Sequence, residues 1–304
     1  MIYDVVIAGG GPGGLSAALA LGRGRKRVLL TDSGPRRNAA AVHVQNFVTR
    51  DGTPPNEFRR IGRQQLEIYP RVEVRDERVD SLSGSRGEFR VRLTSSSVTA
   101  RRVLLCTGMI DELPPIEGFR ELWGSSIFQC PYCHGWEVQD QRWSYLASAA
   151  NAAHFAPFAI KLRGWTRDVV VFTNGFEPPA EARALLESAG IRLETAAVSR
   201  LAGKDGHLEA VELESGTRVA RDVLFAHPEQ RQVALVGAAG VELDEDGYVR
   251  VDPMKSETSV PGIYAAGDLT TRMQSAIFAA AAGTRAATMI NLDLALDLGP
   301  KGLL

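Results

Sequence analysis

Short apolar runs alternate with amphipathic stretches and glycine-containing turns along most of the chain. Residues 3–8 are apolar except for Asp4, as in a parallel strand that helices cover on both faces. A glycine-rich turn and a helical stretch over residues 15–21 follow, and then a second predicted strand over residues 28–32, which begins apolar and ends at Asp32. This order of strand, turn, helix and strand predicts a βαβ unit, the first part of a doubly wound parallel sheet.

A second unit of the same kind is predicted from Trp143 onward. Its main strands and helices are expected over residues 144–147, 151–162, 168–172, 181–189 and 221–226. Pro157 should delay or kink the first of these helices, because proline lacks the amide hydrogen that a helix interior needs. Near the C terminus, a strand and a turn ending at Asp268 precede a long alanine-rich helix over residues 274–293. We therefore predict an α/β chain with two Rossmann-like, doubly wound three-layer domains.

The length of 304 residues agrees with two domains. A net charge of −1 offers no electrostatic basis for binding nucleic acid or an anionic membrane. No apolar run approaches the roughly 20 residues of a membrane span, and no secretory signal follows Met1. We expect neither nucleic acid nor membrane as a partner, and a cytoplasmic location, where a disulfide is more often catalytic than structural.

The turn after the first strand carries the pattern Gly9-x-Gly11-x-x-Gly14. In such a turn the first glycine permits a tight bend, the second lets the backbone approach a diphosphate, and the third lets helix and strand pack closely. The amides at the start of the helix then face the phosphates. Asp32 ends the next strand, where a carboxylate binds a ribose hydroxyl. The pattern predicts a bound dinucleotide and leaves FAD and NAD open.

Cys130 and Cys133 are separated by two residues, a spacing that suits a small redox-active disulfide. The first thiol of such a pair usually has a lowered pKa, because the second sulfur and nearby amides favour its thiolate. A zinc site would need further ligands, commonly a second cysteine or histidine pair, and the sequence offers none, so no metal is expected. Cys106 follows apolar residues of a predicted strand, where an inert core thiol is expected.

The segment from Thr258 to Asp268 matches the block T-x-x-P-G-[IV]-[YF]-A-A-G-D. With the first glycine turn, the Thr107-Gly108 step and a C-x-x-C-[DH]-G block at Cys130, it resembles the low-molecular-weight thioredoxin reductases, flavoproteins with two dinucleotide-binding domains. The resemblance covers essentially the whole chain and implies bound FAD, a redox-active disulfide and a homodimer. It implies that the cofactor is bound by Gly9, Gly11, Pro12, Gly13, Gly14, Asp32, Asn46, Thr107, Gly108, Gly267, Asp268, Gln274 and Ser275.

By the same resemblance, residues 1–115 and 230–304 form a discontinuous FAD-binding domain, and residues 116–229 form a central domain that carries the cysteine pair. Asp268 would bind the phosphate or ribityl part of FAD. The helix that begins near Gln274 would direct its amides at the flavin ring and stabilise the anion of the reduced form.

The resemblance also assigns catalytic roles to three residues. Cys133 would lie nearer the flavin, and Cys130 would exchange with the external partner. His134 stands where thioredoxin reductases carry an acid directly after the second cysteine. Its ordinary pKa of about 6.5 suits proton transfer near neutral pH in either direction.

The nucleotide turn of the central domain departs from the family pattern. Thioredoxin reductases carry a second G-x-G-x-x-[GA] there, whereas this chain has Ala147, Ala149 and Ala152. A methyl group at the middle position stands where a diphosphate must approach. The basic cluster that selects NADPH is also missing, since no lysine or arginine occurs between Phe172 and Arg183. The central site is predicted to be degenerate, with a divergent mode of nicotinamide binding left open.

The sequence therefore predicts an FAD-dependent thiol–disulfide oxidoreductase that does not use NADPH directly. Two subgroups share this pattern: pyridine-nucleotide-independent thioredoxin-reductase-like proteins, some of them linked to ferredoxin, and oxygen-using dithiol oxidases similar to gliotoxin oxidase. The Cys-His-Gly ending of the cysteine block and residues 32–38 resemble the second subgroup. The expected partner is a thioredoxin-like protein or a small-molecule dithiol or disulfide, and the electron donor or acceptor stays open. A flavin-bound redox sensor is the non-enzymatic alternative, against which the intact cysteine pair argues.

Overall fold

The computed structural model describes residues 2–149 and 154–302. Its strands, in chain order, are β1 (Ile2–Ala8), β2 (Val28–Thr31), β3 (Val72–Arg75), β4 (Val79–Ser85), β5 (Glu88–Leu93), β6 (Ser97–Leu105), β7 (Ile110–Glu112), β8 (Ile127–Phe128), β9 (Trp143–Leu146), β10 (Val169–Phe172), β11 (Arg192–Glu194), β12 (Val198–Lys204), β13 (His207–Leu213), β14 (Arg218–Ala220), β15 (Val223–Ala226), β16 (Glu229–Arg231) and β17 (Ile263–Ala265). Its α-helices are α1 (Pro12–Arg23), α2 (Pro55–Leu66), α3 (Phe119–Leu122), α4 (Pro131–His134), α5 (Phe155–Leu162), α6 (Ala180–Ser188), α7 (Ala234–Ala238) and α8 (Ala276–Leu298). Within the described part of the chain, none of these helices combines the length and apolar character that a bilayer crossing requires.

The chain forms two compact units. The first consists of Met1–Ala39, Phe47–Asp111 and Gln230–Leu304, and the second of Ala40–Asn46 and Glu112–Glu229. Each unit is built on a largely parallel sheet with helices, which confirms the predicted α/β class. Residues 40–46 and 112–115, which the predicted boundaries assign to the FAD-binding domain, group with the second unit.

The sheet of the first unit has the strand order β3-β2-β1-β6-β5-β4, and β17 pairs with β6. Parallel pairing places Ala8 opposite Thr31 on one side and Leu105 on the other, and Leu105 opposite Ala265. These four residues end their strands. The loops that follow β1, β2, β6 and β17 therefore begin at one edge of the sheet, where doubly wound proteins bind their ligands.

Backbone meets backbone at that edge without room for side chains. A methyl group on Gly14, at the start of α1, would overlap the carbonyl oxygen of Gly9. One on Gly9, which has a φ of +117°, would overlap the carbonyl oxygen of Cys106. On α8, a methyl group at Gly283 would overlap the backbone of Gly13. These glycines allow α1 to approach both β1 and α8 closely.

A buried cation fixes the other end of α8. Arg102 on β6 is fully buried, and its guanidinium pairs with Asp293 and donates to Asp297 at 2.9 Å. A buried charge is tolerated when partners of opposite charge satisfy it in this way. The last turns of α8 are thereby tied to the central strand that leads into the Thr107-Gly108 loop.

The second unit has a parallel sheet in the order β11-β10-β9-β15-β8. Tyr145 on β9 lies between Val171 and Phe225 of the neighbouring strands. One apolar cluster joins this sheet to α5 and α6, with Phe155 and Leu186 fully buried. A second cluster joins it to the antiparallel sheet β12-β13-β14. The cysteine segment Cys130–His134 follows β8.

Several elements differ from the expected ones for simple reasons. Helix α5 begins at Phe155 with Pro157 in its first turn, where no amide hydrogen is needed. Residues 151–153 of the predicted helix lie outside the described residues. The C-terminal helix begins at Ala276 and continues to Leu298. Helix α2 was not expected, because it is rich in arginine and glutamine and buries only Leu66.

The close contact between α1 and α8 makes Gly283 sensitive to any side chain. We expect Gly283→Ala to lower the free energy of unfolding by about 1–3 kcal/mol, the usual cost of overpacking. Urea unfolding of the purified protein measures this. The matched control is Gly237→Ala in α7, where a methyl group meets no described atom within 4 Å. That change should be neutral or stabilise by roughly 0.5–1 kcal/mol. Equal loss of stability in both variants would contradict the overlap at Gly283.

Candidate functional site

The sheet edge of the first unit carries the predicted dinucleotide turn. Helix α1 begins at Pro12, directly after Gly11, and no side chain caps it. A methyl group on Gly11 would meet no atom of the described residues within 4 Å, so the space over this backbone is open to a ligand. The first amides of α1 are available to an anion in that space. The turn therefore fits a diphosphate.

Asp32 lies beside this turn, with 5% of its surface exposed. Its carboxylate accepts a hydrogen bond from the Gly34 amide at 2.9 Å and lies against the backbone of Gly10. Arg59 and Arg63 of α2 approach the same carboxylate at 2.7 and 3.5 Å. The structure thus brings Asp32 to the glycine turn, as the fingerprint implies. Neither arginine was expected, although their four-residue spacing places them on one helix face.

The loop after β6 contributes Thr107 and Gly108. The Thr107 hydroxyl is shielded from solvent and has no hydrogen-bond partner in the described part of the chain. Gly108 has a φ of +66° and open space where a side chain would stand. A buried hydroxyl normally finds a partner, so this loop fits a ligand that supplies one. Asn46, with a φ of +60°, belongs to the second unit, and its predicted flavin contact stays a prediction.

Asp268 follows β17 through Gly267, which has a φ of +97°. Burial raises the pKa of the Asp268 carboxyl, and the nearby Arg37 guanidinium opposes that rise. Arg37 donates to Asp268 at 3.0 Å and forms a bidentate pair with Asp111 at 2.7 and 2.8 Å. Arg37 and Asp111 were not among the expected site residues. The only sequence signal was the position of Arg37 within residues 32–38.

The start of α8 completes this edge. Ser275 caps the helix, its hydroxyl accepting a hydrogen bond from the Phe278 amide at 3.2 Å. The Gln274 side-chain amide donates to the backbone carbonyl of Asp268 at 3.2 Å. Gln230 adds a hydrogen bond to the Gln274 oxygen at 3.1 Å. The predicted residues Gln274 and Ser275 are thus held next to Asp268, as a cofactor-binding role requires.

Together these residues fit an FAD-type dinucleotide. The open glycine turn and the start of α1 would hold the diphosphate, and Asp32 a ribose hydroxyl. The residues that would hold the flavin side are Thr107, Gly108, Gly267, Asp268, Gln274 and Ser275.

The cysteine pair stands at the start of the short helix α4 in the second unit. Cys130 precedes the helix as its N-cap residue, and the Cys133 amide donates to the Cys130 carbonyl at 3.2 Å. A hydrogen bond from the Cys133 thiol lowers the pKa of Cys130 to about 7, helped by backbone amides and by the charge of Lys161. Desolvation opposes this effect. Cys130 is therefore the thiolate of the pair near neutral pH, as the spacing predicts.

His134 packs face to face on Phe128, with ring centroids 4.3 Å apart and an interplanar angle of 12°. Burial lowers the pKa of His134, partly offset by the charge of Glu137. Neither ring nitrogen has a well-formed hydrogen-bond partner within residues 2–149 and 154–302. The lowered pKa favours the neutral imidazole at pH 7, and a neutral imidazole can accept a proton, which suits the predicted role of His134.

Aromatic side chains flank the cysteine pair. Tyr132 and Trp136 are 61% and 73% exposed. Tyr132 meets the edge of Trp165 at a centroid distance of 5.3 Å, and the Lys161 ammonium lies 5.6 Å from the Tyr132 ring centre. This arrangement places one cation and apolar surface around the thiolate. No cluster of three or more His, Cys, Asp or Glu side chains suited to a metal ion occurs among the described residues.

Aromatic side chains pack together near the end of β9. The Tyr145 hydroxyl lies 3.1 Å from the His227 ring nitrogen, and Phe158 meets the His227 ring edge at 4.5 Å. Ala147 is buried, and the predicted position Ala152 lies outside the described residues.

After β10, where the basic cluster of NADPH-using relatives would stand, the side chains serve other contacts. Asn174 accepts a hydrogen bond from the Val198 amide at 2.9 Å. Arg183, the first cation beyond this point, pairs with Glu177. The degenerate nucleotide site stays a prediction that these contacts support.

The lowered pKa of Cys130 sets the pH at which it reacts. In the reduced protein, alkylation by iodoacetamide should follow the thiolate and rise through a midpoint at about pH 7 instead of near 9. Cys106 should stay unlabelled, because burial raises its pKa to about 12. Mass spectrometry of the alkylated peptides distinguishes the three thiols. Cys133→Ser is the control. It removes the thiol whose hydrogen bond lowers the pKa of Cys130, so the alkylation midpoint of Cys130 should move to higher pH. A midpoint above pH 8.5 in the wild-type protein would contradict the assignment.

Comparison with known proteins places this geometry in a family. The sequence model of the pyridine nucleotide-disulphide oxidoreductase family matches residues 3–283. Thioredoxin reductase tcpT of Claviceps purpurea is 31% identical over 99% of this chain and 98% of its own length. An oxidoreductase from Agrobacterium tumefaciens is 39% identical, with a TM-score of 0.89 over 97% of this chain and 99% of its own.

A further solved structure, HlmI, is 37% identical, with a TM-score of 0.91 over 99% of this chain and 95% of its own. These matches confirm the resemblance seen in the sequence and, with it, FAD as the cofactor. The chain therefore belongs to the pyridine nucleotide-disulphide oxidoreductase family and is a thioredoxin reductase-like flavoprotein disulfide oxidoreductase.

Proposed function

We propose that this flavoprotein passes electron pairs between FAD and the Cys130–Cys133 pair, and between that pair and an external thiol or disulfide, without direct use of NADPH. The observation that carries the proposal is the Cys130 thiol, whose pKa the Cys133 thiol lowers to about 7. A purely structural cysteine pair does not require a thiolate at neutral pH. FAD, when bound, supplies or accepts the two electrons.

The exchange with the partner follows from the two cysteines. In the reductive direction, the Cys130 thiolate attacks one sulfur of an external disulfide, and the other sulfur leaves as a thiolate. Cys133 then attacks the Cys130 sulfur, which closes the Cys130–Cys133 disulfide and releases the partner as a dithiol. Two electrons pass to the partner, and its two sulfurs take up two protons, one given up by Cys133 and one from solvent, because Cys130 enters as a thiolate. In the oxidative direction the same steps run backward.

His134 handles a proton in this exchange. Cys133 must lose its proton to become the attacking thiolate, and the neutral imidazole of the next residue can accept it. Burial and the stacked Phe128 ring favour the neutral form. In the reverse direction, the imidazolium returns the proton to the leaving Cys133 sulfur.

Independence from NADPH rests on the central turn. Ala147 and Ala149 occupy positions where a diphosphate needs backbone without a side chain. The first arginine after β10, Arg183, is paired with Glu177. Hydrogen bonds to a charged phosphate contribute about 1.5–3 kcal/mol each, so the loss of two or three weakens NADPH binding by several orders of magnitude.

The partner is a thioredoxin-like protein or a small-molecule dithiol or disulfide, and the second electron carrier is ferredoxin, oxygen or another acceptor. The exposed Tyr132 and Trp136 rings favour the alternative of an oxygen-using dithiol oxidase, since they offer apolar contact to a small molecule. Oxygen consumption with a small apolar dithiol, compared with reduction of a thioredoxin, distinguishes the two. A cytoplasmic location and a homodimer remain part of the proposal.

The roles of the two cysteines can be read from the flavin spectrum. With its flavin oxidised, the Cys130→Ser variant cannot form the disulfide, so its Cys133 thiolate should interact with the flavin and give a long-wavelength charge-transfer band. Cys133→Ser should lack that band, because Cys130 exchanges with the partner. Absorbance at wavelengths beyond the main flavin bands measures both variants. The reverse pattern would show that the two roles are exchanged.

NADPH and NADH should reduce the flavin very slowly or not at all, because the central turn lacks room and charge for their phosphates. Anaerobic stopped-flow mixing with millimolar nicotinamide nucleotide tests this. Dithiothreitol and dithionite are the controls, since both should bleach the flavin of the same preparation. Full bleaching by NADPH within seconds would mean that a divergent nicotinamide site exists.

A further inference from the structure

Arg36 has an unusual environment for a cation. Its Nε and Nη1 atoms are shielded from solvent and have no hydrogen-bond acceptor among the described residues. A guanidinium has five N–H donors and keeps its charge at any physiological pH. Shielded charged donors without acceptors are costly, so such a group normally faces an anion.

The other arginines near the glycine turn have carboxylate partners, unlike Arg36. Arg37 is satisfied by Asp111 and Asp268, as described above. The other two arginines near the glycine turn, Arg59 and Arg63, are paired with Asp32 and Asp76. Arg63 keeps one shielded donor, Nε, without a partner among the described residues, but its guanidinium is paired with carboxylates. Arg36 differs from these arginines in having two shielded donors, Nε and Nη1, without an acceptor in the described chain.

Arg36 lies in the segment of residues 32–37, and the contacts of Asp32 and Arg37 locate the two ends of this segment. At one end, the Asp32 side chain lies against the Gly10 backbone. At the other end, Arg37 is bound to Asp268, two residues after Ala266. The Ala266 carbonyl oxygen lies 3.7 Å from the point where a Gly13 side chain would begin. Residues 32–37 thus run from the Asp32 contact at the glycine turn to the Asp268 loop, and Arg36 belongs to this segment.

The charge at this edge also requires a cation. Asp32 lies beside the turn, Asp111 and Asp268 lie at the Arg37 end of the segment, and the arginines paired with these carboxylates are already engaged. A diphosphate bound over Gly11 adds further negative charge, which the amides of α1 offset only in part. A free guanidinium is well suited to phosphate oxygens.

We propose that Arg36 binds the diphosphate of FAD. The inference rests on the placement of FAD at the Gly9–Gly14 turn. It assigns to Arg36 a role that the fingerprint does not contain, because the fingerprint relies on backbone amides alone.

The test compares a flavin that has phosphates with one that has none. Wild-type protein is stripped of FAD, shown to rebind it, and titrated with FAD or with riboflavin by fluorescence quenching. Arg36→Met should weaken FAD binding about 10- to 100-fold, the usual effect of losing hydrogen bonds to a charged group. Riboflavin binding should not change. Arg36→Lys should restore part of the FAD affinity, because it keeps the charge without the fork.

Salt provides a second readout that a structural role would not move. FAD affinity of the wild-type protein should fall as potassium chloride rises, and Arg36→Met should reduce that slope. The matched control is Arg78→Met, an exposed arginine of the same unit paired with Asp80. It should leave FAD affinity, riboflavin affinity and the salt slope unchanged.

Failure of this inference is distinguishable from failure of the site. Gly11→Val fills the open space over the turn and should weaken FAD binding while the circular dichroism spectrum is retained. If Gly11→Val weakens FAD binding and Arg36→Met does not, the Arg36 inference is overturned and the site stands. If Arg36→Met weakens FAD and riboflavin equally, Arg36 acts only through the fold and the inference is also overturned. If Gly11→Val has no effect on FAD binding, the placement of the cofactor is wrong, and the inference falls with it.

Discussion

The position of α1 in the first unit depends on direct contacts between backbone segments around the first glycine turn. Gly14 leaves no room for a side chain against Gly9, and Gly283 leaves none against Gly13. Because α1 is held this close to β1 and α8, its first amides stand at the sheet edge together with Asp32 and the loops after β6 and β17. Every proposed contact of this unit with FAD depends on that approach.

Charge pairing organises the remainder of that edge. Buried carboxylates beside an anionic cofactor would repel it, and Arg37 offsets this by holding Asp111 and Asp268 in one ion-pair group. The second unit uses charge differently. There a single thiol is made anionic by its neighbour Cys133, while Lys161 stays at the periphery over the Tyr132 ring. The first unit thus neutralises the negative charge of its carboxylates, whereas the second unit stabilises the negative charge of the Cys130 thiolate.

The sequence allowed the α/β class and the main strands to be predicted, because continuous apolar runs and glycine turns depend on local chemistry. It also pointed to Asp32, Asp268 and the cysteine pair, whose spacing from turns and strands is regular. Arg37 and Asp111 could not be found in this way, since they are 74 positions apart and meet only after the sheet has formed. The stacking of the His134 ring on Phe128 likewise depends on packing that no local pattern encodes.

The ion pairs of Arg102 affect how accurately the first turn of α8 is positioned at the cofactor-binding edge. Helix α8 is a rigid rod whose first turn frames that edge and whose last turns are clamped to β6 through Asp293 and Asp297. Helix α8 is therefore held at two places, by the ion pairs near its C-terminal end and by the Gly283–Gly13 contact nearer its start. Loss of the ion pairs would leave only the glycine contact, about which the helix could tilt and so displace the Ser275 cap. Residues far from any chemistry thus determine how accurately the first turn of α8 is placed.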